Sequence, residues 1–176
     1  MQNTKKMELL LERFGDRYNF MFTPKSFRSA FPDLSDANLN QILCRANRSG
    51  LMERVCKGVY IYTKAEYDPS IVLFLAAKAL RFDEFMYVGL ETALSAYSAI
   101  SQQMLSFITI VTSGRSSIID CSRFGKIEFV HSDNAPDAKD LYYDKMTGLF
   151  WSDENLALND MKKHRRKLVT MLKDCQ

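Results

Sequence analysis

Residues 35–62 read SDANLNQILCRANRSGLMERVCKGVYIY, and this stretch decides the fold of the N-terminal part of the chain. It opens at Ser35, a residue type that caps helices well, and Gly50 stands where a left-handed residue would end the helix. Between them the apolar residues recur at helical spacing, at Leu39, Ile42, Leu43 and Ala46. The first half of the stretch therefore predicts a capped amphipathic helix.

The second half of the stretch has the pattern of a β-hairpin. Segments 51–56 and 59–63 are short and rich in β-branched and aromatic residues, as strands are. Lys57 and Gly58 separate them, and glycine readily takes the positive φ that a tight turn needs. We expect two antiparallel strands directly after the helix.

Two further helices are predicted before this stretch. The first covers 5–14, and the second begins with Thr23 as cap and Pro24 at the first helical position. Three helices followed by a hairpin make a winged helix-turn-helix. The polar segment 64–69 then marks a boundary, so we predict a winged helix-turn-helix DNA-binding domain over 1–64.

The remainder, residues 65–176, is predicted to be a mixed α/β domain, so that the whole chain is α+β. Its sheet is expected to be small, and a long C-terminal helix is expected to start from Ser152 as cap and to reach about Lys173. The other predicted helices cover 69–80 and 90–99, and the predicted strands cover 85–88, 107–112, 115–121 and 126–131.

The charge distribution distinguishes the two parts. Residues 1–63 hold 10 basic and 6 acidic side chains, whereas the whole chain carries a net charge of only +3. This local excess favours an anionic partner for the N-terminal domain. The four cysteines form no CxxC pair, and the chain has neither a signal peptide pattern nor an apolar run that could span a membrane. We expect a cytoplasmic protein that binds no membrane.

Assigning the apolar stripe of the third helix to the core leaves polar and basic side chains on its outer face. Asparagine and glutamine can pair with adenine, and arginine with guanine, so Asn38, Gln41 and Arg45 are candidates for base contacts. Phosphate contacts are predicted for Arg48, Arg54, Lys57, Lys25 and Arg28. Alternatively, these polar side chains form an ordinary solvated helix face.

Four segments resemble, in order and spacing, the AbiEi-type antitoxins of bacterial abortive-infection toxin–antitoxin systems. Shared features include a glycine-leucine step before the hairpin, a glycine-hydrophobic-tyrosine wing, and a closing helix with an alanine-leucine pair. The segments are RSGLMERVCKGVYIY (48–62), YVGLETALSAYSAIS (87–101), FITIVTSGRSSIID (107–120) and GLFWSDENLALNDMKKHRR (148–166).

The resemblance implies a two-domain antitoxin. Its winged domain would bind double-stranded operator DNA and repress its own operon, and residues 65–176 would oppose a nucleotidyltransferase-type toxin. Whether such an antitoxin contacts its toxin stays open, and the family includes members that act only as regulators. A stand-alone winged-helix regulator and a protein-binding module without DNA binding are the alternatives.

No enzymatic activity, cofactor or metal is predicted. The adjacent residues His131, Ser132 and Asp133 have the letters of a catalytic triad, but neighbouring residues rarely face one another. The loop 113–117 could wrap a phosphate but lacks the lysine and spacing of a P-loop. The basic tract 162–167 could be solvated, could bind phosphate, or could dock an acidic toxin surface through Lys162, Lys163, Arg165 and Arg166.

Overall fold

The computed structural model describes residues 3–97 and 106–166. The chain divides into two compact units, residues 1–72 and 73–176. Both helices and strands occur in it, and the predicted α+β class is confirmed. Within the described ranges, no helix combines the length and the apolar character needed to cross a membrane.

Among its described residues, the first unit contains helices α1 and α2, three strands, a 3₁₀ helix and a short 3₁₀ turn. In chain order these are α1 (Asn3–Phe14), β1 (Met21–Phe22), the 3₁₀ helix Pro24–Ala30, α2 (Asp36–Arg48), β2 (Met52–Cys56), β3 (Val59–Tyr62) and the turn Pro69–Ile71. The strands form an antiparallel sheet in the order β1-β3-β2. The hairpin β2–β3 is therefore continued by a short strand that precedes α2.

The core of the first unit lies between its helices and this sheet. Both helices bury one apolar stripe, and the 3₁₀ helix buries Phe27. The cluster also contains Met7, Leu11, Phe22, Phe31, Leu39, Ile42, Leu43, Ala46, Met52, Tyr60 and Tyr62. Burial of these side chains fixes which face of α2 remains in water.

The sequence predicted the elements of this unit closely, with one difference in type. The helix from Asp36, its end near Gly50 and the hairpin turn at Gly58 are confirmed. The segment after Thr23 is a 3₁₀ helix, which continues only to Ala30. Such helices are used in short pieces, and Pro32 follows at once.

The second unit contains three α-helices, six strands and two 3₁₀ turns among its described residues. Helices α3, α4 and α5 are Val72–Leu80, Leu90–Ala96 and Glu154–Lys163. Strands β4 to β9 are Met86–Val88, Phe107–Thr112, Ser117–Asp120, Lys126–His131, Leu141–Asp144 and Leu149–Ser152. The strands form one mixed sheet in the order β6-β7-β5-β4-β9-β8.

Helices cover both faces of this sheet. The Tyr87 hydroxyl donates to Asp160 of α5 at 2.7 Å, which places α5 on the face of Tyr87. Val88 points to the other face and lies beside Trp151 in the parallel β4–β9 pair. Phe74 of α3 packs on Trp151 with ring centroids 5.3 Å apart. The second unit therefore has three layers.

Two predictions for the second unit are wrong. The sheet is not small, because the hairpin β8–β9 brings it to six strands. The C-terminal helix is not long, since α5 has 10 residues and ends at Lys163. Its cap is Asp153, whose side chain accepts from the Leu156 N–H, while Ser152 belongs to β9. The part of that prediction beyond residue 166, and the end of the predicted helix 90–99, lie outside the described residues.

The boundary between the units lies later than the sequence suggested. Tyr67 stacks on Phe20 at a centroid distance of 4.7 Å, and Ala65 packs against the core of the first unit. The polar segment 64–69 therefore belongs to the first unit, which extends to Val72.

Candidate nucleic-acid interface

The helix α2 owes its position to its cap and its buried stripe. The Ser35 hydroxyl oxygen accepts from the Asn38 N–H at 3.2 Å, which satisfies one of the backbone donors left open at a helix start. Asp36 adds a negative charge in the first turn, where the helix dipole favours it. At the other end Gly50 has a φ of +74°, which glycine tolerates and most residues do not. Both ends of the helix are thus defined by the sequence.

One exposed stripe of α2 carries the predicted base-contact residues. Asn38, Gln41, Arg45 and Arg48 are all exposed. At 100° per residue they lie within about 80° of arc, on the side away from the buried residues. Side chains on such a stripe can reach one groove of a duplex together. The structure brings these four candidates together.

A hydrogen bond joins the hairpin to the C-terminal part of α2. The Asn47 side-chain oxygen accepts from the Arg54 N–H at 2.9 Å. Arg54 is itself exposed, and its Nε donates to the Cys56 carbonyl at 3.2 Å. Lys57 is exposed at the turn, next to Gly58 with a φ of +80°. The backbone of Arg54 therefore lies beside α2, and the hairpin exposes two cationic side chains.

The two candidates on the 3₁₀ helix have different environments. Arg28 donates from Nη1 to the Leu34 carbonyl at 2.5 Å, and its Nη2 forms an ion pair with Asp36 at the start of α2. This guanidinium is engaged within the fold and ties the 3₁₀ helix to α2. Lys25 is exposed.

Positive charge exceeds negative charge on the surface of α2 and the hairpin. These elements carry four basic side chains, Arg45, Arg48, Arg54 and Lys57. Their acidic side chains are Asp36 and Glu53. Asp36 is already paired with Arg28. Beneath the hairpin, burial raises the pKa of the Tyr60 hydroxyl, which stays neutral and adds no negative charge. The surface is suited to a polyanion.

The described basic residues of the tract in the second unit do not form one exposed patch. Lys162, Lys163 and Arg165 are exposed, and Lys163 Nζ donates to the Ser132 hydroxyl at 3.0 Å. Arg166 instead turns inward.

The Arg166 guanidinium lies between two carboxylates of the second unit. It donates to Glu91 at 3.1 Å and to Glu128 at 2.5 Å, and these side chains are 22% and 18% exposed. Hydrogen bonds to both carboxylates raise the pKa of Arg166, with Glu128 contributing most. Arg166 is therefore committed to the fold rather than presented to a partner.

The sequence did not indicate that Asn47 joins α2 to the hairpin. It is polar and exposed like its neighbours on α2, so its type and position resemble those of a base-contact residue. Only the folded chain brings Arg54 opposite it. No cluster of three or more histidine, cysteine, aspartate or glutamate residues that could hold a metal ion occurs in ranges 3–97 and 106–166.

Comparison with models of known protein families and with curated proteins finds no match for this sequence. The AbiEi-type resemblance therefore stays a prediction.

Proposed function

We propose that the first unit is a winged helix-turn-helix that binds operator DNA, with α2 in the major groove and the hairpin β2–β3 as the wing. The order of helices, short strand and hairpin supports this assignment. The observation that carries it is the exposed stripe of Asn38, Gln41, Arg45 and Arg48, together with the exposed Arg54 and Lys57 of the adjoining hairpin.

Each residue of the interface has a proposed role. Asn38 and Gln41, near the start of α2, contact adenine edges, and Arg45 contacts guanine. Phosphates are bound by Arg48, Arg54, Lys57 and Lys25. We assign Arg28 a positioning role, because its guanidinium already binds Leu34 and Asp36.

We further propose that the chain is the antitoxin of a bacterial toxin–antitoxin pair and opposes a nucleotidyltransferase-type toxin. This part rests on the resemblance of its four segments to AbiEi-type antitoxins. Occupancy of the operator by the first unit represses the operon that encodes the pair. The proposal assigns no catalytic step to the chain.

The first test is binding of the purified chain to DNA from its own upstream region, with scrambled DNA of equal length as control. We expect preference for the native sequence and an affinity that falls steeply with salt, because bound phosphates release counterions. Binding to neither DNA at low salt would remove the proposed interface. Salt-insensitive binding of a protein, with no DNA binding, would identify a protein-binding module instead.

The second test is co-expression with a nucleotidyltransferase-like protein encoded beside the gene. We expect growth arrest by that protein alone and recovery with this chain. Operator binding without recovery would identify a stand-alone regulator.

A further inference from the structure

A shallow pocket lies in the second unit, at one edge of its sheet. It is lined by His131 at the end of β7 and by the loop between β5 and β6, at Ser113, Gly114, Arg115 and Ser116. Strands β5 and β7 are parallel neighbours, with Thr112 opposite His131. Their carboxyl ends therefore meet at this edge, which is where open sheets with helices on both faces place ligand sites.

The loop is held in place by side chains beneath it. Arg81 donates to the Arg115 carbonyl at 2.6 Å, and Gly114 N–H donates to the Thr112 hydroxyl at 3.1 Å. A Cβ at Gly114 would clash with the Glu84 carboxylate, which is itself held by Arg81 and by the Thr112 hydroxyl, so a larger residue here would displace that carboxylate. The pocket is thus shaped before any ligand arrives, which reduces the entropy lost on binding.

Both ring nitrogens of His131 lie next to acceptors at the side of the pocket. Nδ1 lies 2.8 Å from the Gly114 carbonyl, and Nε2 lies 2.7 Å from the Asp133 carboxylate. Because carbonyls and carboxylates accept hydrogen bonds, this arrangement favours the imidazolium form, in which both nitrogens donate. These two hydrogen bonds, that to Asp133 first, raise the pKa of His131.

The Arg115 guanidinium is the main positive charge at the pocket. The neighbouring Arg81 binds Glu84 at 2.8 Å, and His131 lies 2.7 Å from Asp133, so each of these two residues already has an acidic partner. The Arg115 side chain is exposed, and a guanidinium can bind two oxygens of one phosphate.

Two hydroxyls supply neutral donors beside these charges. Ser116 Oγ accepts from the His131 N–H at 2.9 Å, which leaves its own O–H to donate to a further group. Ser113 lines the pocket from the other side of Gly114. A small oxyanion would meet the Arg115 guanidinium and two serines here, beside the His131 ring.

We propose that this pocket binds the phosphate group of a phosphate monoester, with Arg115 as the main ligand and Ser113 and Ser116 as hydroxyl donors. The site is independent of the proposed DNA interface, since it lies wholly in the second unit. A phosphate monoester carries close to two negative charges at neutral pH, which suits a pocket that contains Arg115 and His131.

The test is a titration of the full chain followed by NMR of the backbone amides of 113–116. Inorganic phosphate, a nucleoside 5′-monophosphate and the unphosphorylated nucleoside are added separately. We expect saturable shifts with both phosphates and none with the nucleoside. Arg115→Ala should weaken binding about tenfold or more, the equivalent of one charge-assisted contact. The matched control Lys145→Ala, which removes an exposed cation elsewhere in the unit, should leave binding unchanged.

Tighter binding of the monophosphate than of inorganic phosphate would show that the site takes a nucleotide, and equal binding that it takes the phosphate group alone. Thermal melting and the dispersion of the backbone amide spectrum of Arg115→Ala show whether the variant is folded, and Ser116→Ala provides a second, smaller truncation. Absence of saturation in the native chain, or equal loss in Arg115→Ala and Lys145→Ala, would overturn the proposal.

Discussion

Gln41, Arg45 and Lys57 are exposed cationic or amide side chains, but they are placed to contact different parts of a duplex. The first two lie on the stripe of α2, and Lys57 lies at the turn of the hairpin. We predict that Gln41→Ala and Arg45→Ala each reduce discrimination between operator and scrambled DNA by about 1–3 kcal/mol. Lys57→Ala should weaken binding to operator and to scrambled DNA equally. It should also lower the slope of log affinity against log salt concentration by about one. Affinities measured at several salt concentrations give both quantities.

Ser29→Ala is the neutral control for these variants, since Ser29 is exposed on the 3₁₀ helix outside the stripe. A uniform loss with all three substitutions would contradict the assignment of base contacts to α2.

Asp160 is buried against Tyr87 and its charge is costly there. Burial raises the pKa of Asp160 above its ordinary value of 3.8, so the folded state favours the protonated carboxyl. At neutral pH the ionised group therefore lowers stability. We predict that Asp160→Asn, which can still accept from Tyr87, raises the free energy of unfolding at neutral pH.

The gain in the free energy of unfolding from Asp160→Asn should become smaller as the pH falls through the raised pKa toward 3.8, because the native carboxyl becomes neutral there. Urea unfolding across this range measures it, with exposed Asp137→Asn as control. An advantage that stayed constant with pH would show that the effect is not electrostatic.

Exposure on α2 could be predicted residue by residue, because helical spacing separates buried from solvent-facing positions. The contacts that Arg28 and Arg166 make within the fold could not be predicted in this way. Arg166 finds its partners on β7 and at the start of α4, far away in the chain, and no spacing rule connects them. Both arginines therefore resembled surface ligands in the sequence.

At the scale of elements, the cap of α2 has a measurable effect. Ser35→Ala removes the acceptor of the Asn38 N–H and should lower the free energy of unfolding by about 1 kcal/mol. Denaturant unfolding measures this loss, and Ser29→Ala should change stability by less than about 0.5 kcal/mol. Equal effects of the two substitutions would show that the cap contributes nothing.

Arg166 joins the turn after α5 to β7 and α4, and its neighbour in the tract, Lys162, is exposed. We predict that Arg166→Ala lowers the free energy of unfolding by about 1–3 kcal/mol, because two partly buried carboxylates lose their partner. Lys162→Ala removes the same charge and should be nearly neutral. If the two variants melt alike, Arg166 has no structural role.

The elements of the first unit could be predicted from helix caps, proline and glycine in the sequence. The hairpin β8–β9 was not predicted. Its strands have four residues each, and its turn has no pair of residues typical of a tight hairpin. No strand was predicted between residue 131 and the helix expected from Ser152. Pairing of β9 with β4 stabilises these strands, and that contact is invisible in the local sequence.

For the whole molecule, the two compact units predict that the two proposed activities, operator binding and toxin neutralisation, can be lost separately. We predict that Arg45→Ala weakens repression in a reporter assay but still restores growth in co-expression with the proposed toxin. Arg45 is exposed in the first unit, so its loss should not disturb the second. Loss of both activities in a folded variant would show that toxin neutralisation depends on operator binding.

The position of β9 beside β4 has a consequence for synthesis of the chain. β4 is buried along its whole length, and one of its two edges pairs with β9 at Phe150 and Trp151. A nascent chain that has emerged only as far as β7 therefore exposes an apolar strand edge, which can pair with other chains. Translation pauses or premature stops in this interval would increase aggregation and demand for chaperones, although the first unit is by then complete.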